Sequence, residues 1–188
     1  MSRPTDLSCR CGKTQWRIAA RARGTKIKCF CADCQTFARH LRAEDWLDDA
    51  GGTTIFHTVP HNLTFTGGLE NLEVLRLSPK GALRWYAACC GTPIGNTLAT
   101  PAVPFLGAIL PADSPDLGKI RAEVQTTHAR KPVKEHGFAR TGLGIVLRAL
   151  GARLAGKHRE TPLFDAKGAP VRAPFVLTRQ ERKAARPS

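Results

Sequence analysis

Seven cysteines are the residues of this chain with the clearest capacity for chemistry, and all of them lie within the first 90 positions. A cysteine thiolate can bind a metal ion or act as a nucleophile, and cysteines two or three residues apart on a tight turn can approach one ion together. We therefore predict that they bind metal and do not form disulfides. They fall into three clusters: Cys9-Arg-Cys11-Gly, Cys29-Phe-Cys31-Ala-Asp-Cys34 and Cys89-Cys90-Gly.

The central cluster has the spacing of a zinc site with one free position. Zinc takes four ligands in a tetrahedron, and a catalytic zinc has three protein ligands and an open fourth position. Cys29, Cys31 and Cys34 supply three thiolates from one short stretch. The four outer cysteines could close a structural site, although one of them, Cys89, is equally suited to a small buried position in the core. The outer set is Cys9, Cys11, Cys89 and Cys90.

Short strands are the main elements that must position these clusters. Apolar and β-branched runs bounded by glycine or proline are typical of strands. The turn 78–81 separates two such runs and predicts a hairpin. The predicted strands span 14–19, 27–31, Thr53–Thr58, 72–77, Leu83–Ala87 and 103–110.

Helices are expected to be fewer. Asp33 is suited to cap a short helix over 34–41, and Pro115 is suited to the first turn of a second helix over 114–124. A third helix, near 142–156, is predicted from an apolar stripe at helical spacing with Arg148 on the opposite side. The simplest expectation is that the stripe packs on its own domain, and the alternative is a basic interfacial or partner-binding helix. The stripe consists of Leu143, Val146, Leu147, Leu150 and Leu154.

Taken in order, the three clusters resemble those of the glutathione-dependent formaldehyde-activating enzymes (GFA), a family that also includes centromere protein V. Members carry an early CxCG, a central CxCxxC and a late aromatic-CxxCG, and the similarity covers about residues 7–110. It implies a mainly β fold of Mss4-like antiparallel sheets, an open zinc on the central cluster and a structural zinc on the outer cysteines. It also implies a zinc-dependent carbon–sulfur lyase that acts on a thiol or a thiol–aldehyde adduct of the S-hydroxymethyl-glutathione type.

The late cluster departs from the family pattern. Ala87 stands where the family has its first cysteine, and Cys89 directly precedes Cys90. Neighbouring residues rarely direct both side chains at one ion, so three arrangements of the outer site stay open. Four cysteines could bind in altered geometry, three could bind with a water, or the site could hold no metal.

Positive charge is concentrated in the C-terminal third. Residues 1–127 have a net charge of +4 and residues 128–188 a net charge of +10, out of +14 in total. We therefore predict a GFA-like zinc-binding domain over 1–127. A basic extension over 128–188 is expected to wrap the same domain and to end in disorder over 180–188.

Two main hypotheses for function follow. The first is an enzyme that uses a small thiol such as glutathione, with His40 as the favoured proton carrier ahead of His57 and His61. Lys26, Lys28 and Arg39 are candidate cations for an anionic thiol. The second is a zinc-stabilised binding module whose basic third binds nucleic acid or another acidic partner. A weaker third idea is a membrane-surface role for the helix near 143–154.

The N-terminal segment predicts a cytoplasmic location. Residues 1–12 contain no apolar run of the kind found in signal peptides, and thiols stay reduced in the cytoplasm. The chain also has no uncharged apolar run of about 18 residues, so no membrane span is expected.

Overall fold

Two sheets and three helices make up the regular structure of the computed structural model, which describes residues 3–187. The small sheet is antiparallel, with strand order β1-β2-β5. Its strands are β1 (Thr5–Ser8), β2 (Gln15–Ile18) and β5 (Leu63–Gly67). The predicted mainly β architecture is therefore confirmed.

The large sheet has eight strands in the order β10-β3-β4-β9-β8-β7-β6-β11. Its six central strands pair antiparallel, and the edge strands β10 and β11 pair parallel with β3 and β6. The strands are β3 (Thr25–Cys29), β4 (Thr53–Thr58), β6 (Leu72–Arg76), β7 (Leu83–Ala87), β8 (Thr92–Thr97), β9 (Leu106–Ile109), β10 (Ala122–Val124) and β11 (Phe175–Val176).

The main core takes side chains from both sheets. Trp16 of β2 and Trp85 of β7 are fully buried, and both belong to the same apolar cluster. Burial of such large apolar side chains provides the main driving force for packing the sheets together. The buried Trp85 ring also satisfies its polar atom, because Nε1 donates to Thr97 Oγ1 at 2.9 Å.

The predicted hairpin of β6 and β7 is confirmed, with Leu72 opposite Ala87. The predicted helix over 114–124 is wrong. Leu117 and Gly118 have φ values of +62° and +86°, which interrupt a right-handed helix, and the segment ends in β10. Pairing of β10 with β3 outweighs the local preference for a helix, and it places Val124 beside Cys29.

α1 (Ala32–His40) begins directly after β3, and its N-cap is Cys31 instead of the predicted Asp33. The Cys31 sulfur accepts the backbone N–H of Cys34 at 3.3 Å, which satisfies one of the free donors at the helix start. Cys31 therefore has a second role besides its place in the central cysteine cluster, because it caps the N-terminus of the helix.

α2 (Phe138–Leu154) confirms the helix predicted near 142–156, but the expectation that its apolar stripe packs on its own domain is wrong. The helix packs through small side chains on its other face, including Thr141, Ala149 and Ala152. Small side chains allow close approach to the domain, and they leave the larger ones on the solvent side. The five stripe residues are 51–79% exposed: Leu143, Val146, Leu147, Leu150 and Leu154.

The C-terminal segment folds back on the domain. α3 (Arg179–Ala185) packs on α1, and Arg39 Nη1 donates to the carbonyl of Arg186 at 3.0 Å. A capping box between Thr178 and Glu181 starts the helix. The disorder predicted over 180–188 is therefore wrong for the helical part, and Ser188 lies outside the described residues. Within residues 3–187, no helix has both the length and the apolarity needed to cross a membrane.

Candidate metal centres

All seven cysteines are free thiols, and they form two groups with the membership predicted from the sequence. The outer centre contains four sulfurs, and the inner centre contains three. Within each centre all sulfur atoms lie within 4.8 Å of one another, so each could hold a metal ion. The outer centre is Cys9, Cys11, Cys89 and Cys90, and the inner centre is Cys29, Cys31 and Cys34.

The outer centre has the spacing of a tetrahedral site. Metal–sulfur bonds of about 2.3 Å imply sulfur–sulfur distances of about 3.8 Å at tetrahedral angles. Cys9 Sγ lies 3.6 Å from Cys11 Sγ and 3.7 Å from Cys89 Sγ, and Cys11 Sγ lies 3.4 Å from Cys89 Sγ. Cys90 Sγ lies 3.9 Å from Cys89 Sγ. Of the arrangements left open by the sequence, this geometry fits four cysteine ligands.

Two turns bring the outer sulfurs together. The turn between β1 and β2 carries Cys9 and Cys11, and the Thr14 N–H donates to Cys9 Sγ at 3.2 Å. The turn between β7 and β8 carries Cys89 and Cys90 and ends at Gly91. Both neighbouring cysteines place their sulfurs in the same group, within 4.8 Å of the other two sulfurs.

Gly91 is required by the geometry of that second turn. Its φ of +69° lies in the left-handed region, and a Cβ there would lie 2.5 Å from the carbonyl oxygen of Leu41. Arg10 connects the same parts of the chain, because its guanidinium donates to the carbonyl of Cys90 and, at 2.9 Å, to that of Arg42. A shallow cavity of about 580 Å³ adjoins this contact.

The two adjacent thiols of the outer centre differ in acidity. Burial raises the pKa of Cys89 to about 12, with the neighbouring thiols adding to the shift. Burial also acts to raise the pKa of Cys90, but hydrogen bonds from the Thr92 hydroxyl and from the backbone and side chain of Cys11 outweigh it and lower the pKa to about 6. Metal binding to all four would release protons, so the affinity is expected to fall in acid.

The inner centre lies where β3 ends and α1 begins. Cys29 is the last residue of β3, Cys31 is the N-cap, and Cys34 lies in the first turn of α1. Cys29 and Cys34 are buried, whereas Cys31 is half-buried and gives the centre its solvent-facing side. A helix N-terminus favours negative charge, so this position suits thiolates.

Hydrogen bonds distribute the charge among the inner sulfurs. The Cys29 and Cys34 thiols, together with the Cys34 backbone N–H, lower the pKa of Cys31. The same contact with Cys31, with burial added, raises the pKa of Cys29. The half-buried sulfur is therefore the preferred thiolate.

A buried arginine near the inner centre is a residue that the sequence analysis missed. Arg84 of β7 is 7% exposed, and its charge lowers the pKa of Cys31. Its Nη1 donates to Asn96 Oδ1 at 3.3 Å, its Nη2 lies 3.8 Å from Asp33 Oδ2, and its guanidinium stacks 5.5 Å from the centre of the Phe37 ring. The available signal was a charged residue inside an otherwise apolar strand.

The cations proposed from sequence proximity are engaged elsewhere. Lys26 donates to backbone carbonyls that include that of Asp116, and Lys28 pairs with Asp48 at 2.5 Å. Arg39 bonds to the C-terminal segment, as described above. Arg84 therefore replaces them as the cation that acts on the inner sulfurs.

None of the three histidines proposed as proton carriers belongs to either cysteine group. His40 lies at the far end of α1, with its ring 6.2 Å from that of Phe175, and neither sulfur group includes it. His57 is half-buried next to Phe105, and its partial burial together with Arg148 lowers its pKa to about 4. His61 lies in a cleft beside α2. The geometry gives none of them a contact with the inner centre.

Comparison with known proteins identifies the family. The family model DUF6151, described as a family of unknown function, matches residues 1–173. The chain belongs to the DUF6151 family. The match includes both centres of this DUF6151 protein and most of its basic C-terminal third.

No curated protein matches this DUF6151 protein. Among solved structures, the crystal structure of a Rhodobacter sphaeroides protein, a structural-genomics target, is similar at 18% identity and a TM-score of 0.43. The alignment covers 62% of this chain and 97% of that one.

Proposed function

We propose that this protein is a zinc-dependent enzyme of the GFA type, with a carbon–sulfur lyase activity on adducts between a small thiol such as glutathione and an aldehyde. The observation that carries the proposal is the inner centre, which offers three thiols and, among residues 3–187, no fourth ligand within the group. Three sulfur ligands and one free position are the ligand set of an open zinc site. The four-sulfur outer centre would be the structural zinc site of an Mss4-like fold.

The residues around the inner centre fit an anionic thiol substrate. A zinc ion bound there would supply an exchangeable position for a thiolate and a weak Lewis acid for the aldehyde oxygen. Arg84 would offset the negative charge of the cysteine ligands and of the incoming thiolate. Asp33 would hold the Arg84 guanidinium in place through their contact at 3.8 Å.

The reaction itself needs no oxidant. When a thiol adds to formaldehyde, a carbon–sulfur bond forms, and the proton of the thiol ends on the former carbonyl oxygen. The reverse reaction breaks that bond and returns the proton to sulfur. The cysteine-rich site would require a reducing compartment, so a cytoplasmic location stays part of the proposal.

The test compares two variants that each change one small side chain. Cys34→Ser should stay folded, lose one of two zinc ions and lose S-hydroxymethyl-glutathione formation, followed by nuclear magnetic resonance of the hydroxymethyl group. Thr66→Ser, an exposed change on β5, serves as the control and should retain both ions and full turnover. Full turnover in Cys34→Ser would contradict the proposal.

A second candidate is a binding module in which both metals are structural. It is favoured by the burial of Cys29 and Cys34, which are 8% and 7% exposed. The basic C-terminal third would then bind nucleic acid or another acidic partner. Two bound ions without any turnover, combined with salt-sensitive binding of a polyanion, would support this candidate over the enzyme.

A further inference from the structure

α2 presents a continuous apolar surface to solvent. At 100° per residue, the stripe residues fall within an arc of about 100° on the helix, opposite the face that packs on the domain. Each of them is at least half exposed. A stripe of this width is what a core-facing helix normally buries. The stripe comprises Leu143, Val146, Leu147, Leu150 and Leu154.

The charged residues of α2 itself are all positive. Arg140 and Arg153 lie on its two sides by the same helical geometry. Residues 138–159 contain five Lys/Arg and no Asp/Glu. An apolar stripe between arginines is the arrangement of helices that lie in the interface of an anionic membrane.

A cationic cleft adjoins the stripe. It has a volume of about 760 Å³, and Leu147 belongs both to the stripe and to the cleft wall. One carboxylate, that of Glu160, stands among its charged residues. The basic residues of the cleft are Arg21, Arg23, His61, Arg148 and Lys157.

Arg148 is a half-buried cation in the cleft wall, and it lacks a counter-charge among the described residues. Its Nη1 donates to Thr25 Oγ1 at 3.2 Å, but its Nε and Nη2 are buried and have no hydrogen-bond partner among the residues described. No carboxylate pairs with it in that part of the chain. A half-buried guanidinium without a counter-charge is costly, and a bound phosphate would compensate it.

We propose that α2 and the adjoining cleft form a surface that binds membranes containing anionic phospholipid. The leucine stripe lies among the acyl chains, and the cationic cleft binds headgroup phosphate. The stripe supplies apolar burial and the cleft supplies charge complementarity, which together are the two signals that stable peripheral attachment needs.

Two other occupants fit less well. A symmetric contact between two copies through α2 would bring together the arginine-bearing faces of two chains that each carry +14. Nucleic acid would use the cations but would leave the leucine stripe in water. A lipid surface satisfies both features at once.

The test is co-flotation of the full chain with vesicles of two compositions. Vesicles of phosphatidylcholine mixed equally with phosphatidylglycerol should retain at least about tenfold more protein than vesicles of phosphatidylcholine alone. A double variant, Leu147→Ser with Leu150→Ser, should lose this binding while it keeps the wild-type circular dichroism spectrum. Leu69→Ser, which changes a leucine 45% exposed elsewhere, is the matched control and should float as wild type does.

The cleft is tested separately. Arg21→Gln combined with Lys157→Gln changes two exposed cations and should reduce flotation severalfold, with a weaker response to salt. Equal retention on both vesicle types, or unchanged flotation of the double leucine variant, would overturn the proposal. Binding of inorganic phosphate or of RNA without vesicle binding would overturn it too. So would a dimer in solution that the leucine substitutions dissociate.

Discussion

The outer and inner centres lie near opposite ends of α1, and they differ both in solvent exposure and in the number of sulfur ligands. The outer centre borders Leu41 and Arg42 after the helix, includes the exposed Cys11, and has four sulfurs. The inner centre lies at the helix start, has two buried cysteines, and has three sulfurs. The centre that solvent reaches most easily is therefore the one with a complete ligand set.

The different number and origin of the sulfurs indicate different roles for the two centres. Four sulfurs from two distant turns connect the β1–β2 turn to the β7–β8 turn, so a metal there would stabilise the fold. The three sulfurs of the inner centre come from one continuous segment, so a metal there would join only β3 and α1, which are already adjacent in sequence. A metal at the inner centre would instead have a position free for a guest molecule.

The largest expected effect is loss of the outer centre. Cys9→Ser removes a buried ligand whose sulfur accepts a hydrogen bond from the Thr14 N–H. We expect the free energy of unfolding to fall by about 4 kcal/mol or more, which corresponds to a decrease of about 10 °C in Tm. Thermal unfolding by circular dichroism measures it. A chelator should lower the Tm of the wild type by a similar amount and change this variant little. Ser8→Ala, which changes the neighbouring exposed residue, is the control. An equal loss of stability in that variant would contradict a stabilising role for the outer centre.

A smaller effect should follow from a change in the turn that holds Cys89 and Cys90. Gly91→Ala combines a left-handed backbone with a contact of 2.5 Å to Leu41 O, so we expect a loss of about 2–3 kcal/mol. Gly12→Ala is the matched control, because its φ is +75° with open space around the new Cβ, and it should cost about 1 kcal/mol. Denaturant unfolding measures both, and equal losses would show that the close contact does not matter.

The inner centre should contribute less to stability. Cys34→Ser leaves β3 and α1 joined through the backbone, and we expect it to cost about 2 kcal/mol or less. The same denaturant unfolding measures this value against that of Cys9→Ser. A loss as large as that of the outer variant would mean that both centres are structural.

The last and smallest expected effect is one on substrate affinity, at Arg84. Arg84→Gln should raise the KM for glutathione about tenfold with both metals retained, because the charge that offsets the thiolates is lost. Arg84→Lys keeps the charge and should recover part of the affinity. A loss of metal in both variants, or an unchanged KM, would assign Arg84 a purely structural role.

The sequence could predict both centres because metal ligands are specified by residue type and local spacing. Cys29, Cys31 and Cys34 belong to one turn, so their convergence needs no knowledge of tertiary structure. The strand Leu83–Ala87 was predicted with its observed bounds for a similar reason, since its apolar pattern and flanking turn are local. The grouping of the outer cysteines followed from their number and order.

Features set by tertiary contacts could not be predicted in the same way. β10 forms because β3 offers a free edge, and α3 forms on the surface of α1, and neither partner is visible in the local sequence. The orientation of α2 was predicted wrongly because small residues, and not leucines, form its packing face. Arg84 was missed because fifty residues separate it from Cys34, and only the contact of α1 with β7 brings them together.

Metal content measured by elemental analysis of purified protein is the most direct test of the two-centre account. It predicts two zinc ions per chain in the wild type, one in Cys34→Ser, and one in Cys90→Ser. A wild-type protein with a single ion that Cys34→Ser retains, or with none, would contradict the existence of a separate inner metal site.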